Sequence, residues 1–385
     1  LHLSLRLQSQ MCIRDSLELE RLLSDREQTV EYNFADSGVY PVKLGELLHI
    51  SGLEMEEFLE TPLNYPEVNG EYSLREKIAE FYDGANLENV LVTVGASEAN
   101  YILANTLLKK GDEIAVMQPT YMQFSGAAKN LGVKVNSFSL DKGNDWALDR
   151  QELIDAVNPK TKIISLVNPN NPTGKILSKE EMEAVVSIAR KFNVWLLADE
   201  VYSGAERGYV EETLSFYGSY EKVIVVNGLS KAYGLPGLRI GWVVAPEYII
   251  KELWKRHEYT TVSSSMLGNR LASLALRPDV RRTLIARTRN LVDRGFETLQ
   301  TYLNEIPGVF SVVPPMASAL SFASYNLPIN STDLVHKLRR EKGILLVPGD
   351  CFGLDGHLRI SSALPQEYLR DGLSRMNEVV KELAP

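Results

Sequence analysis

Six short Val- and Ile-rich runs, at residues 90–94, 113–117, 133–138, 162–167, 194–198 and 222–227, are separated by stretches of helical length. Strand alternating with helix in this order implies an α/β fold whose central sheet is mostly parallel and sandwiched by helices. The alternation assigns residues 45–285 to a large domain. Residues 286–385, with two or three short strands and helical patterns near 331–341 and 365–383, read as a smaller α+β domain that the segment 17–44 joins. Helical patterns after residue 245, broken at Ser263-Ser264-Ser265 and continuing to about Leu303, bridge the two. In sheets of this kind ligands gather just past the carboxyl ends of the strands, so those positions are where function should be sought.

Past the sixth run the chain reads Asn227-Gly228-Leu229-Ser230-Lys231-Ala232-Tyr233-Gly234-Leu235-Pro236-Gly237-Leu238-Arg239-Ile240-Gly241-Trp242. This is an irregular loop punctuated by Gly and Pro, followed by a second apolar strand expected to begin at Arg239. Lys231 and Arg239 place two cations on one loop. A lysine held in a dry pocket loses its proton readily and attacks a carbonyl, while an arginine stays charged and grips phosphate with two hydrogen bonds. A ligand carrying an aldehyde and a phosphate suits the pair, and pyridoxal phosphate has both groups. The segment from Ser230 to Trp242 resembles the Schiff-base lysine segment of the class I/II aminotransferases, the fold type I pyridoxal-phosphate enzymes.

The resemblance extends over roughly residues 30–383 and implies a role for particular residues. Val90–Val94 leads into Gly95-Ala96-Ser97-Glu98, a glycine turn opening a helix whose N-terminal amides and dipole favour an anion; Ala96 and Ser97 are the phosphate candidates there, with Ser230 and Arg239. Ser97 could equally be a helix cap. Tyr121 follows the second strand, where the family stacks an aromatic on the cofactor ring. Asn168-Pro169-Asn170-Asn171-Pro172-Thr173-Gly174 resembles the family's Asn-Pro-x-Asn-Pro-Thr-Gly turn, in which Asn171 would meet the cofactor's phenolic oxygen and the substrate carboxylate. Asp199, just past an apolar strand, would hold the pyridine nitrogen protonated and so keep the ring an electron sink; Tyr202 would join Asn171 at the phenolic oxygen. Arg359, in Leu358-Arg359-Ile360-Ser361, would bind the substrate α-carboxylate in bidentate fashion. Gly38, in the turn-rich Asn33–Pro41 stretch, matches a substrate-contacting glycine, or merely permits the turn. Tyr65, in Asn64–Gly70, would reach the phosphate site of a neighbouring subunit, which requires at least a homodimer. Lys231 lies 32 residues after Asp199, 8 before Arg239 and 128 before Arg359, spacings close to the family's.

Three features depart from the family pattern. Gly228 stands where many relatives carry a phosphate-binding Ser or Thr, which shifts that load to Ser230 and Arg239. Residues 314–320, Pro-Pro-Met-Ala-Ser-Ala-Leu, replace a Pro-x-Gly-Gly stretch, and the phosphate helix carries no lysine at its third position, where one bacterial aspartate aminotransferase branch has one. Both argue against aspartate as the substrate.

A net charge of -9, from 41 Lys and Arg against 50 Asp and Glu, opposes binding to nucleic acid. Composition is that of a soluble protein with no apolar run of membrane-spanning length, and two cysteines, Cys12 and Cys351, suit a reducing cytosol. No metal ligands are singled out. Residues 1–16 resemble translated adapter sequence and are expected to be a non-native leader. The reaction implied is transamination between an L-amino acid and a 2-oxo acid. The alternatives are a pyridoxal-phosphate lyase, or a cyclase or oxidase resembling capreomycidine synthase, to which Ser37–Pro41 bears a faint likeness. A regulator built on the same fold would need a basic DNA-binding module ahead of it, and only about 30 residues precede the fold.

Overall fold

The computed structural model describes residues 18–208 and 211–384, so the leader expected over residues 1–16 lies outside the described part. Its strands are β1 (Tyr32–Asn33), β2 (Val90–Thr93), β3 (Glu113–Gln118), β4 (Lys134–Asp141), β5 (Ala147–Leu148), β6 (Thr161–Val167) and β7 (Trp195–Asp199). They continue with β8 (Val223–Gly228), β9 (Gly241–Val244), β10 (Phe310–Ser311), β11 (Leu320–Tyr325), β12 (Ile344–Leu345), β13 (Val347–Pro348) and β14 (His357–Ser361). Eight of them form one sheet in the order β2-β9-β8-β7-β6-β3-β4-β5. The contiguous run from β8 to β4 is parallel, and β9 is antiparallel to both its neighbours.

Both faces of this sheet are buried, and the side chains divide by strand parity as a pleat demands. Ile114, Val116, Ile163, Leu197, Ile224 and Val226 pack with Ala99, Ile102 and Leu103 of the helix Gly95–Leu107 and with Ile249, Ile250 and Leu253 of the helix Glu247–Thr260. Their neighbours Ala115, Met117, Ile164, Leu196, Ala198 and Val225 face the other way, onto Val185 and Ala189 of the helix Lys179–Phe192. That last helix is set by its ends. The Ser178 hydroxyl accepts from the Glu181 amide at 3.2 Å, Glu181 accepts from the Ser178 amide, and Asn193 closes the helix at φ 56°.

A second sheet, β10-β11-β14-β13, is antiparallel throughout. Beside it β1 pairs in parallel with β12, and the Ser361 amide donates to the Phe34 carbonyl, so the N-terminal segment is stitched to the C-terminal part of the chain. The helix Pro278–Asn304 spans 27 residues without a break, and the boundary drawn at residue 285 falls inside it.

Sequence patterning misplaced one strand start. Arg239 does not open β9: it has φ 53° and closes the turn Pro236–Leu238, and the strand starts at Gly241. Among the described residues no helix is long and apolar enough to cross a membrane.

Gly295, inside the long helix, lies where any side chain would strike the Ser362 carbonyl just past β14. The contact holds helix and strand at backbone distance. Substituting alanine there (G295A) should lower stability by about 1–3 kcal/mol, the usual result of forcing a group into a packed core. Thermal unfolding followed by circular dichroism will check it, and an unchanged midpoint would rule out this close approach.

Candidate active site

Five loops meet at the carboxyl ends of β2, β3, β6, β7 and β8. After β6 the chain turns through Asn168–Gly174, and three asparagines there divide the work. Asn168 Oδ1 accepts from the Leu177 amide at 2.9 Å, while Asn170 accepts from the Thr173 hydroxyl at 2.7 Å and donates to the Pro119 carbonyl at 3.1 Å. These two fix the turn and tie it to the loop after β3. Asn171 is left to face the site: its Nδ2 donates to the Tyr202 hydroxyl at 3.2 Å, and its Oδ1 accepts from Arg359 at 3.1 Å.

Arg359 arrives from the other sheet. It is 1% exposed, its second terminal nitrogen donates to the Ala35 carbonyl at 2.6 Å, and its Nε is buried without a partner. Burial disfavours its charge, and the Tyr202 and Asp36 side chains oppose that effect. The Phe352 ring faces the guanidinium at 5.6 Å. A cavity of about 1000 Å³ is lined in part by Gln123, Trp146, Cys351 and Phe352 and does not have Lys231 in its wall.

Lys231 sits three residues past the end of β8, and its Nζ donates to the Ser37 hydroxyl at 2.7 Å. Burial pulls its pKa down, partly offset by the charge of Asp36 and reinforced by that of Arg359. Asp199 closes β7. Burial pushes its carboxyl up to about 6, against the opposing pull of the Asn100 amide, the Val201 N–H and the charge on Lys231. Asn100 Nδ2 donates to Asp199 Oδ2 at 3.3 Å, and the Val201 amide donates to Oδ1 at 3.3 Å. Tyr202 is 2% exposed, and burial pushes its phenol up to about 12. Tyr121 donates to Glu20 at 2.7 Å and shares a small pocket with Asn100 and Asp199.

The other end of the site is built by close backbone approach. Arg239 reaches over the start of the helix Gly95–Leu107, where a Cβ on Gly95 would lie 2.6 Å from its guanidinium. Gly241 abuts the Ala96 amide so closely that no side chain fits. Ser97 is exposed, and the N-cap position of its helix falls to Val94, so Ser97 is not the cap. Gly228 faces Gly241 across the β8–β9 pair, and a Cβ there would lie 3.0 Å from the Ile240 carbonyl. That crowding disfavours any larger residue at the position where the family pattern expects Ser or Thr. Gly38 lies against Ser230, a Cβ on it falling 3.3 Å from the Ser230 carbonyl. The 314–320 segment docks on the Asn-Pro turn through amides of Met316 and Ala317, which donate to the Gly174 carbonyl at 2.9 and 3.1 Å.

Lys231, Asp199, Asn171, Tyr202 and Arg359 are therefore brought together, with Ala96, Ser97 and Arg239 at the helix start beside them. Tyr65 stands apart on an exposed loop, with 86% of its surface open. Residue patterning missed Ser37, Asp36 and Asn100. Asn100 had a faint signal, since it lies one turn beyond Ala96 on a buried helix face, where an amide needs a partner. The donor set suits pyridoxal phosphate: a partly dehydrated lysine, a buried carboxylate, an arginine over a helix N-terminus, and a buried guanidinium with a free N–H.

The family model for "Aminotransferase class I and II" matches residues 55–376. An aspartate aminotransferase of Sulfurisphaera tokodaii is 30% identical over 334 residues, 83% of each chain. An aromatic-amino-acid aminotransferase of Thermococcus litoralis is 26% identical over 97% of this chain and 99% of its own. A crystal structure of a PLP-dependent aminotransferase from Streptococcus suis superposes with a TM-score of 0.89 at 31% identity, covering 95% of this chain and 98% of that one. With the fold, the lysine loop and the family match in agreement, the chain belongs to the class I and II aminotransferases and is a pyridoxal-phosphate-dependent transferase.

Proposed function

We propose that this chain carries the amino group of an L-amino acid to a 2-oxo acid with the groups gathered around Lys231. The observation that carries the reading is Arg359, a guanidinium at 1% exposure with one buried N–H unpartnered and neutral groups on its other nitrogens. A buried cation is costly until an anion joins it, and its planar fork matches a carboxylate. Amino acid and oxo acid carry the same α-carboxylate, so one anchor serves both halves of the reaction.

When bound, pyridoxal phosphate supplies an electron-poor ring that takes up the electron pair left as the substrate Cα–H bond breaks. Asp199 would hold its ring nitrogen, Asn171 and Tyr202 its phenolic oxygen, and Tyr121 its ring face. Ala96, Ser97, Ser230 and Arg239 would hold its phosphate. Lys231 moves the proton. Burial lowers its pKa, so its amine is free more of the time than that of an exposed lysine, and a free amine can take the Cα proton and deliver it to the cofactor's C4′ carbon. Ser37, accepting from Nζ, directs the amine. Gly38, packed on Ser230, keeps the substrate side of the lysine loop free of side chains.

Residues 45–285 would form the cofactor-binding domain and 286–385, with 17–44, the smaller one. Leu59, Leu63, Tyr65 and Tyr259 are 71%, 81%, 86% and 88% exposed, and such apolar exposure favours a covered face. We read it as the contact with a second copy, through which Tyr65 completes the partner's phosphate site. A cytoplasmic location agrees with the cysteine usage.

Purified protein with pyridoxal phosphate, a panel of L-amino acids and 2-oxoglutarate or pyruvate should exchange amino groups. Failure across the panel, with pyruvate or ammonia released in the absence of an acceptor, would instead favour the lyase or cyclase reading. Lys231→Ala should abolish exchange and leave no site for borohydride tagging. Arg359→Leu should raise KM for donor and acceptor alike by roughly a hundredfold, the order expected for losing a buried charge-assisted pair, with cofactor absorbance unchanged. A rise for only one substrate would contradict the shared anchor.

A further inference from the structure

We infer that His257 is a positioning residue for the cofactor phosphate. It neutralises a carboxylate in the first turn of the helix Gly95–Leu107, so that the field at the helix start stays available to an anion. The inference rests on the proposed reading that this helix start holds the phosphate.

Glu98 is the carboxylate in question, and its side chain is only 7% exposed. Its Oε2 accepts from the Val94 amide at 2.6 Å. Its Oε1 faces His257 Nδ1 at 3.1 Å and accepts from the hydroxyls of Thr261, at 2.8 Å, and Thr260. Burial works against ionisation, but the hydrogen bonds from His257, Thr260 and Val94 outweigh it and hold the carboxyl at about 2. A fixed negative charge therefore sits within one turn of the place where a phosphate dianion is to bind. The dipole of a helix amounts to roughly half a unit charge at its N-terminus, so a single uncompensated carboxylate in that turn would outweigh it.

His257 supplies the compensation. The ring is fully buried, and its second nitrogen, Nε2, lies 3.0 Å from the Val68 carbonyl. A carboxylate and a carbonyl only accept, so both contacts are hydrogen bonds only when both ring nitrogens carry protons and the ring is a cation. Glu98 and His257 then form a neutral pair at the helix start, where Glu98 also accepts from the Val94 amide. The same ring also ties three pieces together: the helix start, the last turn of the helix Glu247–Thr260, and the 64–70 segment that carries Tyr65. That segment is braced independently by Arg75, which donates to the Gly70 carbonyl at 2.9 Å and the Leu87 carbonyl at 3.3 Å. The loss of His257 should therefore register first as lost charge balance.

The test compares pyridoxal phosphate with pyridoxal, which lacks the phosphate, by titrating the cofactor-free protein and following absorbance. The parent should prefer the phosphorylated form. His257→Gln, which leaves Glu98 unbalanced, should lose about tenfold in affinity for pyridoxal phosphate, the order of one charge at a helix end, with pyridoxal binding unchanged. The double variant E98Q/H257Q, neutral again, should regain the preference. A H257Q protein that keeps the parent's preference, or that weakens toward both ligands alike, overturns the inference. A parent with no preference for the phosphate rejects the helix-start reading itself. Should H257Q fail to fold, Glu98→Gln decides alone: it removes the charge that His257 is said to neutralise, so the preference must hold or rise, and a fall overturns the inference.

Discussion

The Asn171 side chain holds the two halves of the site together. Its amide donates to Tyr202, on the loop after β7, and its oxygen accepts from Arg359 on β14, in a different sheet. Net, a neutral bond like that to Tyr202 is worth about 0.5–1.5 kcal/mol and one to a charged group like Arg359 about 1.5–3 kcal/mol. Their importance is geometric. Arg359 reaches the loop after β6 through this bond, and its other hydrogen bond, to the Ala35 carbonyl, ties it to the N-terminal segment. Three stretches distant in sequence converge on one guanidinium, which adds to the docking of Met316 and Ala317 on the Gly174 carbonyl in fixing how the small sheet meets the large one.

At the phosphate end the constraint is steric rather than polar. Gly241 lies against the Ala96 amide, Gly95 lies under the Arg239 guanidinium, and Gly228 faces Gly241 across the sheet. Each close approach brings backbone N–H groups and one cation toward a common point, and any side chain would push them apart. The absence of a hydroxyl at position 228 then follows from crowding, which leaves Ser230 and Arg239 as the side chains still able to reach an anion.

Much of this was legible because strand ends and short motifs are local. The runs at 113–117 and 162–167 announce β3 and β6 to within a residue or so, and Asn171, Asp199, Lys231 and Arg359 follow from motif and spacing. What was not legible is pairing at long range. Nothing in the order of elements says that β9 inserts antiparallel between β8 and β2, because a strand's direction depends on where its loop returns it. The Ser37 contact to Lys231 spans 194 residues and the Asn100 contact to Asp199 spans 99, and neither small polar residue names its distant partner in the sequence. Arg239 was misread as a strand residue because apolar patterning cannot register a positive φ. The turn Pro236–Leu238 needed that conformation before β9 could begin.

Neighbouring carboxyls at 199 and 200 show why side-chain chemistry alone does not assign a role. Both are buried, at 8% and 3% exposure, and burial pushes both up, Asp199 to about 6 and Glu200 to about 8. Near neutral pH the first is therefore largely charged and the second largely neutral. Their partners explain the difference in use. Glu200 Oε1 accepts from the Phe216 amide at 2.8 Å and the Ser215 hydroxyl at 3.1 Å, contacts that fix the 215–216 loop. Asp199 faces Asn100 and the charge of Lys231 across the site, where a carboxylate is stabilised further by any cation that binds between them. Asp199 is the last residue of β7 and Glu200 the first beyond it, and their different hydrogen-bond partners separate a structural acid from the one positioned to meet a ring nitrogen.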